Sequence, residues 1–136
     1  MNTKFISVIP LFLVVALIYV VMAYAGVDLK FSADPIFEMK LPSGEYWKPT
    51  WSGLIIMLGV IALYFEIVKS TTTGTTTIIE HGLSMVVFIT CLMLYLLLPI
   101  TGTSTFLIIT LMSLLDVVAG FNITIASARR DFTMGG

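Results

Sequence analysis

Residues 77–130 read TIIEHGLSMVVFITCLMLYLLLPITGTSTFLIITLMSLLDVVAGFNITIASARR. The stretch holds two apolar runs, Ile78–Ile100 and Thr103–Ala128, joined by a tight turn over Pro99–Thr103. A helix needs about 20 residues to cross a hydrocarbon core about 30 Å thick, and each run is long enough. Asp116 lies inside the second run, with Ser113 and Gly120 on the same side. An ionisable side chain at that depth is costly, so it marks either a functional group or a specific packing contact.

The rest of the chain agrees with a lipid setting. Its 136 residues are 58% hydrophobic and 11% charged, with a mean hydropathy of +1.05. Soluble domains carry about 25% charged residues, so these few charges cannot cover an apolar core in water. The expected fold class is all-α: an integral membrane four-helix bundle with one extracytoplasmic loop. It forms a single domain over residues 1–136, with spans near 5–25, 51–68, 78–100 and 103–128.

Composition also narrows the chemistry. The net charge is −1 and no basic patch exists, which argues against a nucleic-acid partner. Cys91 is the lone cysteine; it can form no intrachain disulfide and reads as a small buried hydrophobe. One histidine cannot complete the three or four protein ligands of a zinc site. Phosphate-loop and dinucleotide glycine patterns are absent, as is the Gly-x-Ser-x-Gly elbow. The expectation is a non-enzyme with no metal and no cofactor.

Working towards the N-terminus, Trp51–Val68 is a further apolar run, with Lys69 at its exit. Gly59 and Ala62 share a face, where small side chains let helices approach closely in lipid. Glu66 stands three residues before Lys69, the spacing of a helical ion pair. The loop STTTGTTT (residues 70–77) follows, and Thr77 with Glu80 fits a capping box. Gly26–Thr50 is polar, punctuated by Pro35, Pro42, Gly44 and Pro49, and mixes charges with Phe31, Phe37, Tyr46 and Trp47. Such a mixture suits a loop at the membrane surface or a docking surface. Pro42-Ser43-Gly44 signals a turn, and Pro35–Leu41 reads as a short amphipathic helix. Phe5–Ala25 reads as a first span with Pro10 in its opening turns. The alternative is a secretory signal ending at Ala23-Tyr24-Ala25.

Folding the runs into antiparallel hairpins places Glu66, His81 and Asn122 at one depth. His81, Ser84, Cys91 and Tyr95 share a helix face. Ser113, Asp116, Gly120, Thr124 and Ser127 form a polar, small-residue stripe expected to face protein; Asp131–Gly136 is a short tail. The candidate intramembrane polar site is therefore Asp116, His81, Glu66, Asn122 and Ser84, and the helix-packing residues are Gly59, Ala62, Ser113 and Gly120. Two roles compete. In one, a carboxylate and an imidazole lead protons or ions to Asp116. In the other, a protonated Asp116 donates a hydrogen bond to Ser84, Thr90 or a backbone carbonyl, and Glu66 pairs with Lys69 or His81.

Lys4, Lys69, Arg129 and Arg130 fall on one side, Lys30, Lys40 and Lys48 on the other. The positive-inside rule then favours cytoplasmic termini in the inner (plasma) membrane. The expected function is that of a small multi-pass structural or accessory subunit. It would act by helix packing, with the lipid bilayer and either copies of itself or a larger membrane complex as partners. The alternative is a small oligomeric proton- or ion-coupled channel or transporter using Asp116.

Overall fold

Among the described residues, four helices follow one another in the computed structural model: α1 (Leu11–Tyr24), α2 (Trp51–Ser70), α3 (Thr75–Leu97) and α4 (Ser104–Gly135). The structure describes the backbone of residues 8–71 and 75–135, and the side chains of residues 8–71 and 78–130. The first seven residues, the centre of the threonine loop, the Thr77 side chain and the tail side chains after Arg130 lie outside that description. A two-stranded hairpin, β1 (Met39–Lys40) and β2 (Tyr46–Trp47), sits between α1 and α2. A 3-10 turn, Pro99–Thr101, joins α3 to α4.

Among the described residues, three helices are long and apolar enough to cross a membrane: Trp51–Ser70, Ile78–Leu97 and Ser104–Arg130. Of these windows 28%, 17% and 44% respectively is buried, so α4 is the central helix and α3 the most peripheral.

The first helix, α1, covers residues 11–24 of the span expected over residues 5–25, whose residues 5–7 lie outside the described residues. Its 14 residues measure about 21 Å. It begins after Pro10, whose backbone is extended at ψ 131°; proline has no N–H to give a preceding turn. It ends in a Schellman motif. Gly26, at φ +92°, donates to Ala23 O (3.2 Å), and Val27 donates to Met22 O (3.0 Å). The positive φ is what glycine is needed for.

The other helix ends also have local causes. Thr50 caps α2, its Oγ1 accepting from Gly53 N at 3.1 Å. Thr75 and Thr76 are already helical, so Thr77 is not the cap of α3. The third helix stops at Leu97, short of Ile100. Leu98 is extended (φ −102°, ψ 121°), because a residue before proline is driven out of the helical region. The Thr101 hydroxyl donates to Leu94 O and Leu98 O, a second contact for carbonyls that already accept Leu98 N and Thr101 N. The fourth helix runs past Arg129 and Arg130 to Gly135. Charge ends the apolar run there, but arginine is a good helix former and does not end the helix.

Pro35–Leu41 is not helical. Its apolar residues alternate with charged ones, and the turn Pro42-Ser43-Gly44 folds the segment back as a strand. Ile36 N donates to Pro49 O (2.8 Å), Leu41 N to Glu45 O (2.8 Å) and Gly44 N to Leu41 O (2.9 Å), with Gly44 at φ +95°. That is a type I turn followed by a left-handed glycine.

The core gathers Phe12, Val15, Ala16 and Tyr19 of α1 with Ile55 and Ala62 of α2, Val87 and Cys91 of α3, and Phe106, Ile109 and Met112 of α4. Tyr19 packs against Phe106 with ring centroids 4.9 Å apart and tilted by 58°. Its hydroxyl lies 3.3 Å from Ile100 O and 2.6 Å from Thr103 Oγ1, tying α1 to the α3–α4 turn. Thr105 donates to Leu29 O and takes the Ser52 hydroxyl at 2.7 Å, tying α2 and the loop to α4.

Candidate functional site

The ionisable residues of the helices converge at the end remote from the hairpin. Three helices supply them at helical spacing, which puts residues three and four apart on one face. From α2 come Glu66, Lys69 and Ser70; from α3, Glu80, His81 and Ser84; from α4, Asp116, Gly120 and Thr124. The cavity they line measures about 20 Å³, which is room for roughly one water molecule.

Glu66 is only 5% exposed, yet its carboxylate is well supplied. Oε1 accepts from Leu11 N at 3.0 Å and from Lys69 Nζ at 3.1 Å. Lys69 Nζ also donates to Ile9 O at 3.2 Å. Leu11 opens α1, and a free first-turn N–H beside a positive helix end favours an anion. Glu66 therefore caps α1 from another helix. Proline at position 10 leaves Leu11 N as the first donor that needs a partner.

Asp116 is 5% exposed and lies against the Ser84 hydroxyl. One turn further along α4 the absent side chain of Gly120 makes space for His81. A Cβ at that position would stand 2.7 Å from His81 Nδ1 and 2.8 Å from Cε1. Phe121 holds the imidazole edge-on, with ring centroids 4.1 Å apart at 81°. His81 Nε2 is buried with no hydrogen-bond partner. An orphaned ring nitrogen next to a water-sized cavity is a place for one bridging water.

Of the five residues read from the sequence, Glu66, His81, Ser84 and Asp116 line this pocket and Asn122 does not. Asn122 has the right depth but stands about 200° round the helix from Gly120, and it is exposed. Thr90 is also outside: it is exposed and donates to Val86 O at 2.8 Å. The Glu66–His81 hydrogen bond is replaced by the Glu66–Leu11 and Glu66–Lys69 bonds. Lys69, Ser70 and Glu80 were not read as site residues. Glu80 was recoverable, since Glu80 and Ser84 are four apart on α3.

The packing residues sit in the interior. Gly59 faces Met112, whose Cε would be 2.5 Å from an added Cβ, and Ala62 is buried beside it on α2. Ser113 is buried and donates to Thr110 O at 2.7 Å. Gly120 meets the His81 ring, as above. Among the described residues no three His, Cys, Asp or Glu side chains are grouped to hold a metal ion. No protein-family model, curated protein or solved structure matches this chain.

Proposed function

We propose that the chain is a multi-pass protein of the inner membrane, with four crossing helices, cytoplasmic termini and the hairpin loop outside. Its function in this reading is non-enzymatic: a structural or accessory subunit that packs with copies of itself or with larger membrane subunits. Large apolar side chains such as Leu17, Val60, Val86, Leu96 and Leu115 are more than half exposed on the helices. Water would penalise such a surface and lipid would not.

One observation carries the accessory reading over transport. The buried ionisable groups surround a cavity of about 20 Å³, which admits a water and no larger solute. Glu66 meanwhile spends its charge on holding α1. A second reading, proton coupling, is favoured by the orphaned His81 Nε2 lining the same cavity as Asp116.

Reconstitution and cross-linking test both. Under the accessory reading, native membranes give a defined cross-linked oligomer or heteromer. Vesicles of the pure protein hold a pH gradient as long as empty ones. Asp116→Asn changes neither result, because an amide also donates a hydrogen bond. A monomer without companions in mild detergent overturns the accessory reading. A proton leak abolished by Asp116→Asn replaces it with the coupled one.

A further inference from the structure

The hairpin has two chemically different faces. Successive strand residues point to opposite sides, and the register pairs Met39 with Trp47 and Lys40 with Tyr46. Phe37, Met39 and Trp47 thus share one face, while Glu38, Lys40, Tyr46 and Lys48 share the other. The contacts agree. Phe37 packs edge-on against Trp47, centroids 5.8 Å apart at 89°. Lys48 Nζ stands 3.7 Å from Glu38 Oε1.

Nothing within the described chain covers the apolar face. Phe37, Met39 and Trp47 are 46%, 49% and 40% exposed. An isolated two-stranded hairpin is marginal in water, so a face of this kind calls for a cover. Chain length says where the cover lies. The root of the hairpin is the Ile36 N–Pro49 O bond, and α2 begins two residues later at Trp51. Trp47 is two residues from Pro49, so it is within about 7 Å of the root. The headgroup layer on one side of a bilayer is about 5–7 Å deep. Trp47 is four residues from Trp51, about 13 Å of extended chain, so a hairpin lying along the surface holds Phe37 and Trp47 at headgroup depth, which aromatic rings favour. The loop sets Asp28, Asp34, Glu38 and Glu45 against Lys30, Lys40 and Lys48. With the signs nearly balanced, no one-sign patch exists to steer a charged protein partner.

We propose that the Phe37–Met39–Trp47 face of the hairpin lies on the bilayer interface, with the Glu38–Lys48 pair turned to water. The hairpin is then a surface anchor that fixes the depth of α2. The proposal rests on α2 crossing the membrane, and the two tryptophans of the chain separate the two claims. Trp51→Phe leaves Trp47 as the reporter; Trp47→Phe leaves Trp51, which is itself exposed and tolerant of the change. Each full-length variant is reconstituted in phosphatidylcholine vesicles, with and without bromine on the acyl chains near the headgroup. The expected result is that bromolipid lowers Trp47 emission about twofold, as it does for Trp51. Aqueous acrylamide should quench either indole only weakly. Quenching of Trp51 by bromolipid, with Trp47 open to acrylamide and blind to bromine, overturns the anchor while leaving the span intact. Trp47 shielded only in native membranes gives the face to a protein partner and overturns the anchor too. Bromine-insensitive emission from both tryptophans removes the spanning α2 itself, and the anchor with it.

Discussion

Replacing Glu66 by alanine should loosen α1 from the other helices. The wild-type carboxylate accepts Leu11 N at 3.0 Å and Lys69 Nζ at 3.1 Å from a site that is 5% exposed. A hydrogen bond to a charged group contributes about 1.5–3 kcal/mol. Breaking one partner out of a buried ion pair costs about 3–5 kcal/mol. The two figures overlap, because the same oxygen makes both contacts. Lys69 is also 24% exposed and keeps Ile9 O, which lowers the second. A net loss of about 3 kcal/mol follows, close to a hundredfold in the folded-to-unfolded ratio.

Glu66→Gln separates geometry from charge. The amide keeps an oxygen where Leu11 N needs one, and gives up only the charge that the helix end and Lys69 attract. That part is about 1 kcal/mol. Titration with sodium dodecyl sulfate in mixed micelles, followed by circular dichroism, reads the two stabilities. Amide exchange at Leu11 reads the cap directly, with protection lost in the alanine variant and kept in the glutamine one. Lys69→Met added to Glu66→Ala should cost about 1 kcal/mol less than the sum of the single changes, since the two side chains are in contact. The cap is refuted if both Glu66 variants stay within about 0.5 kcal/mol of wild type. Glutamine behaving as badly as alanine would refute the division between acceptor and charge.

Two glycines should respond oppositely to alanine. At Gly59 the added Cβ meets the free end of Met112, which can swing away, so thermal unfolding in detergent should show neutral or raised stability from the gain in helix propensity, at most about 1 kcal/mol. At Gly120 it meets the ring of His81 held by Phe121, so the same measurement should show a loss of about 1–3 kcal/mol from overpacking. Tyr19→Phe removes the contacts to Ile100 O and Thr103 Oγ1, and should cost about 1 kcal/mol in the same assay while leaving the Phe106 packing intact.

How far the fold was legible depends on which constraint sets each feature. Lipid imposes one demand on a span, a long run without charge, and α2, α3 and α4 can be read from it. The start of α1 cannot. It depends on Leu11 N, the first donor after Pro10, meeting the Glu66 carboxylate 55 residues away, and no window around Phe5–Ala25 contains Glu66. In the loop, Pro35–Leu41 is too short for helix and strand periods to be told apart, until Gly44 at positive φ folds it back. The site divides in the same way. Hairpin symmetry gives depth, and that was enough to put Glu66, His81 and Asn122 near one level. Azimuth round α4 separates Gly120 from Asn122, and depth carries no information about it.

The buried hydroxyls bear on the choice between the roles for Asp116. A relay needs hydroxyls that can pass a proton along. On α4 Thr110 donates to Phe106 O at 2.9 Å, Ser113 to Thr110 O at 2.7 Å and Thr124 to Gly120 O at 2.8 Å. Thr105 donates away, to Leu29 O. From Thr105 to Asp116 is about 16 Å of helix, lined by Phe106, Ile109 and Met112, all buried. Each hydroxyl on that stretch is already committed to backbone, at about 1 kcal/mol per bond, and apolar side chains fill the gaps where water would have to bridge them. Among the described residues, polar access to Asp116 therefore comes from the pocket side. A carboxyl reached from one side can take up a proton and return it the same way. Carrying that proton across would require a second polar wall, supplied by another copy or another subunit.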